Sequence, residues 1–524
     1  MRSKRVVLAI TLLSTSAWAG GAPLPNPSGP YPANTLPTDR PDSVPHTLAE
    51  SLSIAYETNP QLTGQRAQLR STDENVPAAL AGWRPQISIN SSYGAAVGRY
   101  VELAPCGGNI FLPINQQPGA YQQPCYTSGP ANPATNGKNF NSLGEYSDNI
   151  KNNRTLYGNT LTITEYLYRG GHTVAQTHQA VNNVYSARAK LIAQEESVFS
   201  DTINAYVTFV EDQQLLTLQQ QNEQVLGDEL RAVNDRYRVG ELTRTDVAQA
   251  EAALAQAQAA EQTAAGNLET ARAGFVAQVG VTPPSDLADP QPLRLPVSTE
   301  KAAAAMAENN NPNVIAALFN EAAQKDNIDL QFSALGPQIY LQGQAQQLTS
   351  TELGHQGTYG VQGTINLSLP IYQGGAEYAA VRQARQTYQA AVRQTQQARR
   401  SAIESAVQAW DTLVAARAAT ASSRIAVRSA EIAVEGTERQ ALVGSATTQD
   451  VLIQQQNLLS AQVTLVQNIT SVVTASYGVA SAIGRLTARD LGLSVPLYDE
   501  TAYYNAVRDR LWGTGDYAIH QPGR

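Results

Sequence analysis

The sequence predicts a mainly helical chain of mixed α and β type, built twice from one plan. Each copy of the plan supplies two membrane-type β-strands and one long helical hairpin, so each chain carries four strands. Three observations carry this. First, Tyr359, Val361, Gly363, Ile365, Leu367, Leu369 and Ile371 alternate with Gly360, Gln362, Thr364, Asn366 and Ser368. That is the period-two pattern of a strand with one apolar and one polar face. Second, the strand runs into Pro370, which has no N–H to donate to a ladder, and then into Gly374-Gly375, which allow a sharp turn into a very long Pro-free segment. Third, the same device, Leu161 to Gly170-Gly171, stands 204 residues earlier (374 − 170).

The register holds well beyond that junction. At the same offset Val239-Gly240 meets Val443-Gly444, Asp246-Val247 meets Asp450-Val451, and Gly280 meets Gly484. Upstream the offset becomes 252 residues, where Asn59-Pro60 meets Asn311-Pro312 and Pro85-Gln86-Ile87 meets Pro337-Gln338-Ile339. The chain is therefore an internal duplication whose first copy carries 48 extra residues between its strands (252 − 204).

Composition narrows the compartment. A net charge of −8 over 524 residues gives no reason to expect nucleic acid as a partner. Residues 1–19 read as a secretory signal peptide: Arg2, Lys4 and Arg5, an apolar core from Val6 to Leu13, and Ala17-Trp18-Ala19 as a small-x-small cleavage site. Past the N-terminus no run reaches the ~18 apolar residues of a membrane helix, so membrane insertion would have to use strands. Cys106 and Cys125 are the only cysteines. Both lie in the extra residues, and in an exported protein one disulfide closing a surface loop is the expectation. Two free thiols are the alternative; no His or further Cys stands near enough to make a metal pair.

In chain order, residues 20–45 form a Pro- and Gly-rich flexible arm. The first repeat covers 46–280, opening at Thr47, an N-cap with Glu50 at capping-box spacing. Its strands fall at 85–98 and 155–168, separated by an exposed loop insertion at 99–153 that the membrane reading places outside the cell. The apolar face of the second strand is imperfect, because Asn159 and Glu165 share it with Tyr157, Leu161, Ile163 and Leu167. A helical hairpin follows at 171–280, turning at Gly240, suited to a left-handed C-cap, and restarting at Thr243. Its return helix is rich in Ala and Gln, which suits both close helix approach and plain helix propensity. A Pro-rich linker at 281–298 leads into the second repeat, 299–485, with strands 337–348 and 358–371 and hairpin 375–485. The tail, 486–524, carries Tyr498, Tyr503, Tyr504 and Trp512 and is expected to pack one short helix on the outside.

Four strands cannot close a membrane barrel, and open edges are not tolerated in lipid. The barrel must be shared between chains, with eight strands from a dimer or twelve from a trimer. Twelve leaves a water-filled lumen, which fits the Gln/Thr/Asn/Ser face. The bland alternative is a soluble hairpin on a coiled coil.

At these residues the sequence resembles the TolC family of trimeric outer-membrane channels, most closely its type I secretion branch. The resemblance covers about residues 46 to 500 and rests on the paired Asn-Pro motifs, the two strand-to-Gly-Gly junctions and the paired tips, Arg238 to Val247 and Val443 to Val451. It implies a homotrimer with a twelve-stranded barrel in the outer membrane of a Gram-negative bacterium and a helical tunnel across the periplasm. It also implies docking on a periplasmic adaptor and on an inner-membrane ABC or proton-driven transporter. The cargo implied is protein, by type I secretion, or small toxic compounds.

In that family, carboxylates at the positions of Asp246 and Asp450 sit at the periplasmic tip and contribute to its constriction. Three chains would place a ring of each around one axis, favouring cations. Thr243–Asp246 and Thr447–Asp450 also have capping-box spacing, so a helix cap alone accounts for both. The resemblance gives Val239, Gly240, Val443 and Gly444 as adaptor contacts, beside the plain reading of two C-cap glycines. The chain departs from the best-known member at Ile453, where that member has a second Asp, and at Ala441 and Ala446, which replace its Tyr and Arg tethers.

Nothing points to catalysis or to a cofactor. His172 and His178 stand i, i+6 on one helix, which does not place them on one face. A surface structural or adhesive coiled-coil protein without a pore is the competing class; it predicts sustained Leu heptads, and here Leu is intermittent.

Overall fold

The computed structural model of the chain describes residues 44–101, 149–350 and 356–515. The expected signal peptide, nearly all of the expected arm and both cysteines lie outside the described residues. The elements in order are α1 (Leu48–Thr58), α2 (Pro60–Asp73), α3 (Asn75–Leu80), a 3-10 turn (Ala81–Trp83), β1 (Gln86–Val101), β2 (Asn149–Arg169), α4 (His172–Arg238), α5 (Arg244–Val279), α6 (Glu300–Asn310), α7 (Pro312–Ser333), β3 (Gln338–Ser350), β4 (Gln356–Ser368), α8 (Ala376–Leu442), α9 (Thr448–Ala482) and α10 (Ala502–Val507). They divide into a sheet unit, residues 80–174 and 329–380, and a helical unit made of the rest.

The sheet unit is four antiparallel strands in the order β1-β2-β3-β4, with β1 and β4 at its edges. Its register sorts the side chains into rows. Ser88, Thr162, Gln344 and Gln362 pair in one row, and Asn90, Thr160, Gln346 and Gly360 in another. The intervening rows are apolar: Ile87, Ile163, Gly343 and Gly363, then Ile89, Leu161, Ala345 and Val361. The period-two pattern of each strand thus becomes one polar and one apolar face of a whole sheet. Asn159, the polar intruder on the apolar face, is satisfied there by Ser91, which donates to its Oδ1 at 2.8 Å, while its Nδ2 donates to Tyr157 Oη at 2.8 Å.

Three strand details differ from the sequence reading. β4 closes at Ser368, so Leu369 and Ile371 fall outside the ladder, because pairing stops short of Pro370. β2 carries a bulge between Tyr166 and Tyr168, which leaves Leu167 out of the pairing and sets Tyr168 opposite Ile339. β2 also pairs from Asn149, earlier than the expected residue 155, because β1 extends to Val101 and supplies partners.

The helical unit shows the duplication residue by residue. α4 and α8 are each 67 residues long, ~100 Å at ~1.5 Å per residue. Asn59 and Asn311 do the same work in the two copies. Each precedes a Pro in extended backbone, so the helix before it ends and another begins. Asn59 Oδ1 accepts from Gln61 N–H at 2.9 Å and its Nδ2 donates to Gln278 O at 3.2 Å. Asn311 repeats this with Asn313 N–H at 2.9 Å and Ala482 O at 3.2 Å. One buried amide therefore caps one helix start and ties down one helix end.

The main core of this unit lies where α1, α2, α4, α5 and α9 meet, around Leu62, Leu69, Phe199, Ile203, Phe209 and Phe275. Tyr206 is buried there and donates its hydroxyl to Ala288 O at 2.7 Å. The tail is bound to the first repeat rather than merely resting on it. Glu196 accepts from Leu486 N–H at 3.3 Å and Glu195 from Ala488 N–H at 2.6 Å. Buried Arg66 lies between the Tyr56 and Tyr498 rings, 4.5 and 5.3 Å from their centroids. Tyr503, on the expected short helix α10, donates to Glu74 at 2.8 Å.

By length and composition α9 is apolar enough to cross a membrane, with a mean hydropathy of 1.2 over its best window. Its Val473, Val479 and Ala480 lie in the helical cores, and its Thr470 donates to Glu211 at 2.9 Å. Within the single chain 28 % of that window is buried.

Two outcomes follow for the helical unit. Asn59→Ala and Asn311→Ala should each cost about 1–2 kcal/mol through the lost cap and the orphaned carbonyl, read as a lower unfolding midpoint; an unchanged midpoint would contradict the capping account. Burial pushes Glu196 up to about 8 from 4.5. The folded chain thus keeps a proton that the unfolded chain releases, so this contribution is complete below the unfolded pKa and is lost as pH rises through about 8. Glu196→Gln should flatten the fall in stability across that window; a slope equal to the parent's would contradict it.

Candidate functional site

The hairpin tips are built by the same local chemistry twice. α4 ends with Gly240 at φ 82° and α8 with Gly444 at φ 76°, the left-handed conformation that glycine adopts without strain. Glu241 N–H donates back to Arg236 O and Ser445 N–H to Gln440 O, both at 2.9 Å, closing the last turn of each helix. The return helices then start on Thr243 and Thr447. Asp246 Oδ2 accepts from Thr243 N–H at 2.8 Å and from its hydroxyl at 2.6 Å. Asp450 Oδ2 accepts from Thr447 N–H at 2.9 Å and from its hydroxyl at 2.7 Å. Both carboxyls are held below the usual range, first by the threonine hydroxyl and then by the backbone N–H.

The N-terminal ends of α5 and α9 lie side by side, with Gln249 Nε2 donating to Gln449 Oε1 at 3.4 Å. The two Asp-capped helix starts are thereby brought to one end of the helical unit. Around them Val239, Leu442 and Val443 are exposed at 71, 71 and 78 %. That is an apolar rim on turns whose backbone is already satisfied, as a surface for contact would be. Ile453 is exposed as well.

The junction glycines belong to the sheet unit. Gly170, Gly171, Gly374 and Gly375 all have positive φ, from 61 to 87°. They are not equivalent: a Cβ on Gly170 would stand 2.6 Å from Ser333 O, whereas Gly374 faces open space. The first junction is fixed by close backbone packing and the second by conformation alone. Cys106 and Cys125 lie outside the described residues.

Two features were not found from the sequence. One is the acidic clamp of Glu195 and Glu196 on the tail; the signal was present in the duplication, because this pair aligns with Arg399-Arg400. The other is a cavity of about 310 Å³ between α4, α5 and α9, lined by amide side chains including Gln219, Gln256 and Gln455. The Gln219 and Gln455 side-chain oxygens are buried there without a hydrogen-bond partner. Amides are common on these helices, and no periodicity separates the buried ones.

A family model described as outer membrane efflux protein matches residues 51–281 and 303–485, one segment per repeat. The chain is 31 % identical over 475 residues to the outer membrane efflux protein BepC of Brucella suis biovar 1 (strain 1330), covering 90 % of this chain and 92 % of that protein. It is 25 % identical over 457 residues to outer membrane protein TolC of Vibrio cholerae, covering 85 % and 92 %. The solved structure of outer membrane protein VceC from Vibrio cholerae superposes with a TM-score of 0.63 at 18 % identity, over 83 % of this chain and 96 % of that one, which shows the shared fold. The paired Asn-Pro motifs, Gly-Gly junctions and tips therefore identify what they resembled: the chain belongs to the outer membrane efflux protein (TolC) family, non-enzymatic channels of the outer membrane with a periplasmic helical domain.

Proposed function

We propose that three copies of this chain close one barrel of twelve strands and one helical tunnel, forming the exit duct of a tripartite export system. The observation that carries this reading is the sheet itself: four strands, two open edges, one face apolar and the other lined with amides and hydroxyls. Neither edge can face hydrocarbon unpaired, so β4 of one copy pairs with β1 of the next. Exposed Ile87, Ile89, Val361 and Ile365 then face lipid, and the polar rows face a lumen wide enough for water. In the helical unit, exposed Val414, Ile425 and Ile432 on α8 supply an apolar flank for a neighbouring copy.

The duct carries cargo passively. A periplasmic adaptor binds the apolar rim at Val239-Gly240 and Val443-Gly444, and an inner-membrane ABC or proton-driven transporter supplies the energy. The relative BepC, an efflux protein by its description, supports small compounds as cargo. The resemblance to the type I secretion branch supports protein cargo through the same bore.

Three copies bring three Asp246 and three Asp450 to the tip, and their lowered pKa values keep them charged in mildly acidic solution. Each residue then serves as helix cap and as part of a cation-favouring ring. Substitution by Asn separates the two roles, because the amide oxygen still accepts from Thr243 or Thr447 while the charge is gone. Single-channel recording in planar bilayers should show a cation-selective pore. Its selectivity should fall in Asp246→Asn and Asp450→Asn, with a smaller drop in unfolding midpoint than Asp246→Ala and Asp450→Ala show. A pore indifferent to both would leave the aspartates as caps alone, and the absence of any pore from folded assemblies would overturn the duct.

A further inference from the structure

Within one chain the first repeat grips the turn after α9 through two carboxyl oxygens. Glu195 and Glu196 on α4 accept the backbone N–H groups of Ala488 and Leu486, in the turn that follows α9. The same turn carries Asp490, which also pairs with Arg485 at 3.0 Å. The 204-residue register runs unbroken through α4 and α8 and continues past the hairpins, where Asp286-Leu287 matches Asp490-Leu491. Under that register the acidic pair becomes Arg399-Arg400 on α8, and Leu486, Ala488 and Asp490 become Thr282, Pro284 and Asp286.

The substitution inverts the side-chain pair and removes a donor from the turn it faces. Two acceptors have become two donors. The donor N–H of Ala488 has become Pro284, which has none. The acidic side chain of the turn is kept, as Asp286. Arg399 and Arg400 are exposed and have no hydrogen-bond or ion-pair partner among the described residues. Asp286 lies 3.3 Å from His46 Nδ1 and remains 71 % exposed.

Neighbouring positions suit close approach. Within the chain Ser186 donates to Ala316 O at 2.9 Å, and Thr470 donates to Glu211. Their counterparts are Ala390 with Gly64 and Gly266 with Ala415, all small. Both glycines face open space in the single chain.

We infer that Arg399 and Arg400 of one copy clamp the Thr282–Asp286 turn of the next copy, as Glu195 and Glu196 clamp the Leu486–Asp490 turn within a chain. This rests on the ring of copies proposed above, in which the two kinds of contact alternate. The guanidinium forks take the Asp286 carboxylate and the carbonyls of the Pro283-Pro284 turn, which offers acceptors and few donors. The inversion also makes the contacts non-interchangeable. Arg399 and Arg400 would meet Arg485 and Arg489 if offered the second-repeat turn, and Glu195 and Glu196 would find Pro284 in place of the Ala488 N–H, with Val281 and Ser285 in place of Arg485 and Arg489, if offered the first. Only one order of repeats around the ring satisfies both.

The test is a disulfide across the inferred contact. Full-length Arg400→Cys/Thr282→Cys, oxidised in membranes and run without reductant, should give a ladder up to a covalent trimer that neither single variant gives. A product confined to one chain, or none from an assembly that native mass spectrometry counts as a trimer, would overturn the clamp and leave the ring standing. An assembly of another size would overturn both. Independently, Arg399→Glu/Arg400→Glu should shorten the trimer's lifetime at raised temperature by roughly tenfold, since like charges across an interface repel strongly, and adding Asp286→Arg should restore most of it. An unchanged lifetime would count against the clamp.

Discussion

A strand edge in hydrocarbon leaves a row of N–H and C=O groups with no partner, each costing several kcal/mol, and no side chain can supply what the backbone lacks. β1 and β4 are such edges. The rest of the chain is consistent with meeting that constraint by repetition rather than by length. A duplicated hairpin gives four strands, and under the proposed assembly closure comes from further copies. The polar rows Ser88-Thr162-Gln344-Gln362 and Asn90-Thr160-Gln346-Gly360 make sense only against a wet lumen, and the apolar rows between them only against lipid.

The helical unit solves a related problem with the same economy. A 67-residue helix needs a defined start, a defined end and a partner along its flank. Gly240 and Gly444 end the outgoing helices, Thr243–Asp246 and Thr447–Asp450 start the returning ones, and Asn59 and Asn311 tie the returning helices to the short ones. Each device appears twice with nearly identical distances. Where the copies differ, as at Glu195-Glu196 against Arg399-Arg400, the difference marks a contact that the two repeats do not share within one chain.

Much of this was legible in the sequence, for physical reasons. Period-two alternation, Pro370, the Gly-Gly junctions and the threonine caps are local devices whose residue types dictate backbone geometry, so they can be read one segment at a time. The repeat then supplied long-range order that a single segment cannot. What escaped reading depends on three-dimensional surroundings. The bulge at Leu167 arises from pairing with β3, not from the residues of β2. Asn159 fits an apolar face because Ser91 and Tyr157 reach it. The burial of Arg66 needs Tyr56 from α1 and Tyr498 from the tail, which are 442 positions apart. The apolar surplus of α9 was invisible in consecutive runs, because Gln467 and Asn468 interrupt them, although its average is high. The roles of Asp246 and Asp450 divide along the same line: the cap is local and was legible, while a ring exists only across copies.

The most direct measurement is the number of chains in the assembly extracted from the membrane, counted by native mass spectrometry. A barrel closed by sharing four strands per chain predicts three copies and no stable membrane-embedded monomer. A two-copy assembly would confine the amide rows to a filled eight-stranded interior, and a single inserted copy would leave β1 and β4 unpaired. Either result would contradict closure of a water-filled duct by three chains.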